Sequence, residues 1–290
     1  MKKTLTPYPF SIFDKISKDD LREILEILRE EVDFDIESIF EETVNDIAFI
    51  AGKEDKRKLV KDLESRWYSS LESGEPDSEV YYSIDYLPNL WSCWAIYLRN
   101  YLRSLKSPKG IPADLFNESR SVLKEIGSVK KVVDLGNGIG YSTALIKELF
   151  PGAHVFATNF EGSPQFKIGE AIAETYRFTL LPEEESKKIG KAEVVFALDY
   201  FEHFKVPIDE LDEVIETFSP DYLITANAFG TRSIGHFETY RYGSEILTGS
   251  KISRKFNDRL RSLGYEKLET RIWNDRPSVW KRKPVTLKPL

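Results

Sequence analysis

The sequence predicts an α/β protein whose first third is helical and whose remainder is a mostly parallel sheet covered by helices on both faces. Three observations carry this expectation. Up to about residue 110 the apolar residues recur at helical spacing, and after residue 128 short β-branched runs alternate with helical stretches. The chain then closes on two strand-like segments joined by the turn Asn274-Asp275-Arg276-Pro277, a pair that should be antiparallel.

In order along the chain, Ser17-Lys18-Asp19-Asp20 suits a helix start ahead of Leu21, Ile24, Leu25, Ile27 and Leu28. Further helices are expected over residues 36–51 and 56–71, with a turn at 74–77. Residues 81–105 set Trp91, Trp94, Tyr97, Leu98 and Tyr101 at helical spacing behind Pro88. This face is either a buried packing surface or, in part, the roof of a substrate pocket. A linker at 107–112 leads into one more helix, 113–126.

The run Lys131-Val132-Val133-Asp134 reads as a strand, followed by Gly136-Asn137-Gly138-Ile139-Gly140 and a helix over 141–150 that Pro151-Gly152 ends. Strands follow over 154–159, more weakly 177–181, then 192–198 and 221–229, with helices over 164–176 and 208–218. The charged run 183–188 reads as a solvated loop or helix. A long connection, 230–250, precedes a helix over 252–263 that Gly264 stops, and the last strands fall at 267–273 and 278–283.

Bulk properties narrow the function classes. A net charge of −7 lacks the signature of a general nucleic-acid binder, so nucleic acid is not favoured as a partner, and Lys281-Arg282-Lys283 reads as a solvated strand end. The single cysteine, Cys93, excludes an intramolecular disulfide, and His154, His203 and His236 show no metal-ligand spacing, so no metal site is expected. No apolar run suits a signal peptide or a membrane span, which leads us to expect a cytoplasmic protein without a membrane partner. The aromatic content of 13% fills cores first, and also suits a pocket for a flat or cationic ligand.

Residues 132–140, Val-Val-Asp-Leu-Gly-Asn-Gly-Ile-Gly, are the most informative stretch. A glycine-rich turn between strand and helix lets a ligand approach the backbone, a device several cofactors use. The dinucleotide fingerprint would need glycine at 141, which is Tyr141, and a phosphate-binding P-loop would need Gly-Lys-Ser/Thr, which is absent. A carboxylate at Asp134 repels an incoming pyrophosphate and attracts a ligand carrying an ammonium and a sulfonium.

This stretch resembles the first motif of the class I S-adenosylmethionine-dependent methyltransferases. Residues 192–204 are similar to the fourth-strand segment of that family's small-molecule branch, and 260–283 to its closing helix and strands. The resemblance spans about residues 112–283. It implies a Rossmann-like, mostly parallel seven-stranded sheet with an antiparallel last strand, preceded by an α-helical N-terminal domain. Residues 1–110 would form that domain, a cap or interaction unit, and 111–290 the domain that binds S-adenosylmethionine. By position, Gly136, Asn137, Gly138 and Gly140 would approach the methionine part and ribose, and Asp134 would orient the amino group directly or through water. Asn159 stands where the family carries an acid for the ribose hydroxyls, so either it or Glu161 takes that role. Phe160 covers the adenine or simply packs, and Asp199 and Tyr200 lie at the mouth of the fourth strand beside the transferred methyl.

An acceptor that must lose a proton needs a base, for which His203, with Glu202 beside it, is the candidate; His203 could equally cap a helix or pack against the sheet. Trp94 and, from the long connection, His236 and Tyr240 are candidate acceptor contacts, with that connection and its Phe237 and Tyr242 read as a lid. Asp199-Tyr200-Phe201-Glu202 lacks the paired prolines of enzymes that methylate base amino groups, and Cys93 lies outside the α/β region. The expected activity is methyl transfer to a small or medium organic acceptor. The alternatives are a macromolecular acceptor or a non-catalytic protein that keeps the fold for binding.

Overall fold

The computed structural model describes residues 54–82, 102, 104–106, 122–269 and 277–284. The helices expected before residue 52, the aromatic segment with Trp91 and Trp94, and the linker at 107–112 lie outside the described residues. The third expected helix is α1, Glu54–Ser73, followed after Gly74 by the short helix α2, Ser78–Tyr82. The end of the helix expected over 113–126 is α3, Val122–Ile126.

The alternation of strand and helix then follows the apolar pattern closely. The order is β1 (Lys131–Leu135), α4 (Tyr141–Leu149), β2 (His154–Asn159), α5 (Pro164–Tyr176), β3 (Thr179–Pro182), β4 (Val194–Leu198), α6 (Pro207–Phe218) and β5 (Tyr222–Ala226). The charged run after β3 is a 3-10 helix, Glu183–Ile189. Local chemistry sets several boundaries: Ser163 accepts the Phe166 N–H at 3.1 Å, and Pro164 pre-sets the first turn of α5.

With β8 at Tyr265–Lys267 and β9 at Ser278–Arg282, the sheet order is β3-β2-β1-β4-β5-β9-β8. The first five strands pair in parallel, and β9 (Ser278–Arg282) runs antiparallel to both β5 and β8 (Tyr265–Lys267). The antiparallel last strand is therefore slotted inside the sheet rather than added at its edge. The strand expected over 267–273 begins earlier, at Tyr265, because Tyr265 is buried and its hydroxyl donates to Pro220 O at 2.6 Å.

Period two along each strand feeds two cores. Val132, Val194, Phe196, Ile224 and Val279 face α3, α4 and α5, together with Leu102 and Leu105. Val133, Val195, Leu223 and Trp280 face α6 and α7 (Gly249–Ser262), together with Trp67 and Tyr68 of α1. All five residues of β4 are buried, as a strand covered on both faces requires.

The connection 230–250 differs from the expected lid. It contains an antiparallel hairpin, β6 (Thr239–Tyr242) and β7 (Glu245–Thr248), with Tyr240 completely enclosed and Phe237 and Leu247 buried in the second core. Its ends meet at Gly230 and Gly249: a Cβ on Gly249 would lie 2.5 Å from Gly230 Cα. The aromatics that made this stretch look like a ligand cover are the groups that pack it down. Tyr242 and Ile246 alone among its large apolar residues are exposed.

Candidate functional site

Strand order reverses between β1 and β4, so the connections leaving their C-terminal ends diverge and open a crevice there. The glycine loop forms one lip. Gly136 and Gly138 have φ of 62° and 57°, the left-handed region that other residues rarely adopt. A Cβ on Gly136 would stand 2.8 Å from the Tyr200 ring, whereas one on Gly138 would meet nothing within 4 Å. Gly138 therefore presents bare backbone to open space. Gly140 packs against Ile172 of α5 instead. Asn137 N donates to Thr158 O at 3.0 Å, tying the loop to β2, while its buried side-chain amide has neither nitrogen nor oxygen paired among the described residues.

Asp134 is 1% exposed. Ser142 and Thr143, in the first turn of α4, donate hydroxyl hydrogens to its Oδ2 at 3.0 and 2.6 Å. Burial pushes its carboxyl up to about 6, against the opposing effect of those two hydroxyls. Its carboxylate thus braces the helix behind the glycine loop. Asn159 closes the loop from β2: its Nδ2 donates to Gly138 O at 2.6 Å and its Oδ1 accepts the Phe160 N–H at 2.8 Å. A carboxylate at 159 could not make the first of these bonds. Beyond it, Phe160 is 40% exposed, its ring lying over Gly162.

The other lip leaves β4. Asp199 is partly exposed with φ of 50°, and its N–H donates to Ala226 O at 3.0 Å. The Tyr200 hydroxyl lies 2.7 Å from Glu183 Oε1 and 2.8 Å from Glu210 Oε1. A phenol has one hydrogen to donate, so one of these carboxyls keeps its proton and donates back. Burial raises both acids, Glu210 to about 7. Glu202 has no exposed surface, and its Oε1 accepts the Ala228 N–H at 2.7 Å. The His203 and His236 rings meet edge to face at 4.8 Å. Burial, then the neighbouring His236, lowers His203 to about 3, and burial lowers His236 as well.

The structure brings together Gly136, Asn137, Gly138 and Asn159 on one lip and Asp199, Tyr200, Glu202, His203 and His236 on the other. Two expectations change. Tyr240, taken as an acceptor contact, is a core residue 0% exposed whose hydroxyl accepts the Gly230 N–H. Glu202, taken as a catalytic partner, is sealed from any acceptor in this conformation. Trp94 lies outside the described residues. Sequence reasoning missed Glu210, whose place in the first turn of α6 reads as ordinary helix-dipole compensation. It also missed Trp67 and Tyr68, which hold the segment carrying His236. Trp67 Nε1 donates to His236 O at 2.7 Å, and the Tyr68 hydroxyl accepts the Ser233 N–H at 3.2 Å.

Five parallel strands in this order, an inserted antiparallel strand and a glycine loop after β1 constitute the Rossmann-like methyltransferase fold. Among solved structures the chain is similar to an O-methyltransferase family protein from Burkholderia thailandensis, with TM-score 0.52 and 12% identity over 80% of this chain and 71% of that one. Mitomycin 7-O-methyltransferase MmcR aligns with TM-score 0.49 and 13% identity over 79% and 67%. The small RNA methyltransferase HEN1 aligns with TM-score 0.42 and 14% identity over 63% and 28%. At such identities the likeness is one of fold. No family model matches the chain, and no curated protein matches it in sequence.

Proposed function

We propose that the chain binds S-adenosylmethionine in the crevice between the β1 and β4 lips and transfers its methyl group to a small or medium organic acceptor. The observation that carries this reading is the glycine loop at the switch point, with the one Cβ direction that opens on unfilled space at Gly138. The residues fit the cofactor. Gly136, Gly138 and Asn137 offer backbone and an unpaired buried amide to its amino-acid part and ribose, with Gly140 setting the helix behind them. Asn159 or Glu161 would meet the ribose hydroxyls, Phe160 the adenine face, and Asp199 and Tyr200 the region of the methyl group. Asp134 acts on this site by fixing the start of α4.

When bound, the cofactor supplies a methyl group on a positively charged sulfur that is neutralised as the bond breaks. The contribution of this chain is alignment and exclusion of water. We assign His203 the role of taking a proton from an acceptor and His236 that of contacting it; burial, which lowers His203 to about 3, confines that role to an acceptor that readily gives up its proton. A second reading, a fold kept for binding alone, is favoured by Asn159, whose amide is engaged with the loop rather than offering a carboxylate. Calorimetry of the full chain with S-adenosylmethionine should show binding that Gly138→Val reduces by at least about tenfold through filling the open space. Absence of binding by the wild-type chain at high micromolar cofactor would overturn the proposal; binding without turnover on any acceptor recovered with the protein would support the second reading.

A further inference from the structure

We propose that Glu183 and Glu210 are positioning residues for the glycine loop: they hold the Tyr200 phenol between them through one shared proton, and the ring held there backs Gly136. This deepens the reading of the crevice as a cofactor site and rests on it.

The three side chains come from separate stretches of chain. Glu183 opens the 3-10 helix after β3, Tyr200 lies two residues beyond β4, and Glu210 sits in the first turn of α6. The phenol oxygen lies 2.7 Å from Glu183 Oε1 and 2.8 Å from Glu210 Oε1, both within hydrogen-bond distance. Two such contacts at one oxygen need two hydrogens, and the phenol carries one. Forking that hydrogen between two carboxylates would set two negative charges against one oxygen in a mostly buried place. No cationic side chain pairs with either acid among the described residues: Lys187, on the same 3-10 helix as Glu183, is engaged by Glu213 at 2.9 Å. Glu184 and Glu213 only add negative charge nearby. The second hydrogen therefore sits on one of the two carboxyls. Burial raises both acids, Glu210 to about 7, so this hydrogen is held below that pH and released above it.

The phenol in turn places its ring. Tyr200 is 7% exposed and packs on Phe201 at 5.2 Å and on Phe204 at 4.9 Å between ring centres. Its Cδ2 stands 2.8 Å from where a Cβ on Gly136 would be, so the ring limits how far the loop can shift toward the β4 exit. Gly136, at φ of 62°, begins the turn that leads to the bare backbone of Gly138. Loss of the shared hydrogen leaves two carboxylates on one phenol, and one contact then joins acceptors alone. The hydroxyl must leave one of them, and the ring moves with it. Cofactor affinity is therefore full below pH 7 and falls as pH rises through it.

The test uses the full chain. Calorimetry with S-adenosylhomocysteine should show wild-type affinity falling at least about fivefold from pH 6.5 to pH 8.5, because a group near 7 gives up its proton over that interval. Glu210→Gln offers the phenol both a donor and an acceptor at every pH, so its affinity should change by less than about twofold. Tyr200→Phe keeps the ring and removes the hydroxyl, and should show at both pH values the weaker affinity of the wild type at pH 8.5. Infrared difference spectra of the ligand-free chain between the same pH values should contain a protonated-carboxyl band that Glu210→Gln removes and Tyr200→Phe shifts in frequency. The proposal is overturned if wild-type affinity does not fall with pH, if Glu210→Gln keeps the wild-type pH dependence, or if neither variant alters the band. A wild-type chain that binds no S-adenosylhomocysteine at either pH sinks the cofactor reading instead. The infrared arm then still decides the shared proton, and amide exchange at pH 8.5 decides the positioning: Gly136, Asn137 and Gly138 should exchange more slowly in Glu210→Gln than in the wild type, and equal exchange overturns it.

Discussion

The two lips of the crevice both carry buried acids, and they manage negative charge in opposite ways. On the β1 lip a single carboxylate, Asp134, receives two hydroxyl hydrogens from α4, so that one acid is solvated by the protein itself. On the β4 lip the acids come in company: Glu183 and Glu210 flank one phenol, and Glu202 is enclosed with the Ala228 N–H on its Oε1. There the protein keeps protons rather than supplying donors. The first arrangement stiffens the glycine loop; the second gathers acids that burial raises at the exit of β4, with Asp199 partly exposed beside them.

The lips touch at Gly136, and the sharpest way to break their relation is to fill that contact. Gly136→Ala forces a Cβ to 2.8 Å from the Tyr200 ring at a φ of 62°, so strain and overpacking add to a loss of about 2–5 kcal/mol. Gly138→Ala meets the backbone cost alone, about 1–2 kcal/mol, because nothing lies within 4 Å of its Cβ. Urea unfolding of both variants measures the difference. Equal losses would mean that the Tyr200 ring does not back the glycine loop.

Charge on the β1 lip is tested next, through pH. The folded-state carboxyl of Asp134 lies at about 6, above its ordinary value of 3.8, so the folded chain holds a proton that the unfolded chain has released between those values. This contribution to stability is fully present below pH 4, declines as pH rises to 6, and is flat above; its size is about 3 kcal/mol. Asp134→Asn keeps an oxygen for Ser142 and Thr143 and carries no ionisable proton. Its stability, measured by urea unfolding between pH 4 and pH 8, should lose that decline, leaving the variant closer to or above the wild type at pH 8. An unchanged slope would place the titration elsewhere, with Glu210 at about 7 the next group to examine.

Much of this architecture is legible in the sequence, and the residues show why. The run Val132-Val133-Asp134 before three glycines gave the strand, the turn and the following helix, because a strand buried on both faces and a left-handed turn each restrict composition strongly. Period two even places Asp134 on the same face as Val132, toward α4. Its partners were not legible, since Ser142 and Thr143 look like any polar residues in a helix's first turn. The hairpin at 239–248 was misread for a related reason. Aromatic residues in a long connection are equally consistent with a ligand cover and with a core, and only the closure of Gly230 on Gly249 selects the core. The clustered acids of the β4 lip come from the β3–β4 connection and from separate parts of the β4–β5 connection, and no local pattern joins Glu183, Tyr200 and Glu210.

Phe160 offers the smallest effect on stability and a clear separation of fold from function. Its ring is 40% exposed, next to the loop that Asn159 closes and over Gly162, so folding withdraws only part of its apolar surface from water. Phe160→Ala should change unfolding free energy by about 1 kcal/mol, because the lost burial is partial. If the ring covers the flat part of a nucleoside, its removal should weaken S-adenosylmethionine binding by about 1–3 kcal/mol, the usual worth of stacking a base on an aromatic face. Unfolding and calorimetry on the same variant decide between the two roles. A large loss of stability with unchanged affinity would make Phe160 a packing residue of the β2 exit. Unchanged stability with weakened binding would assign the open side of the β1 lip to an aromatic, uncharged part of the ligand.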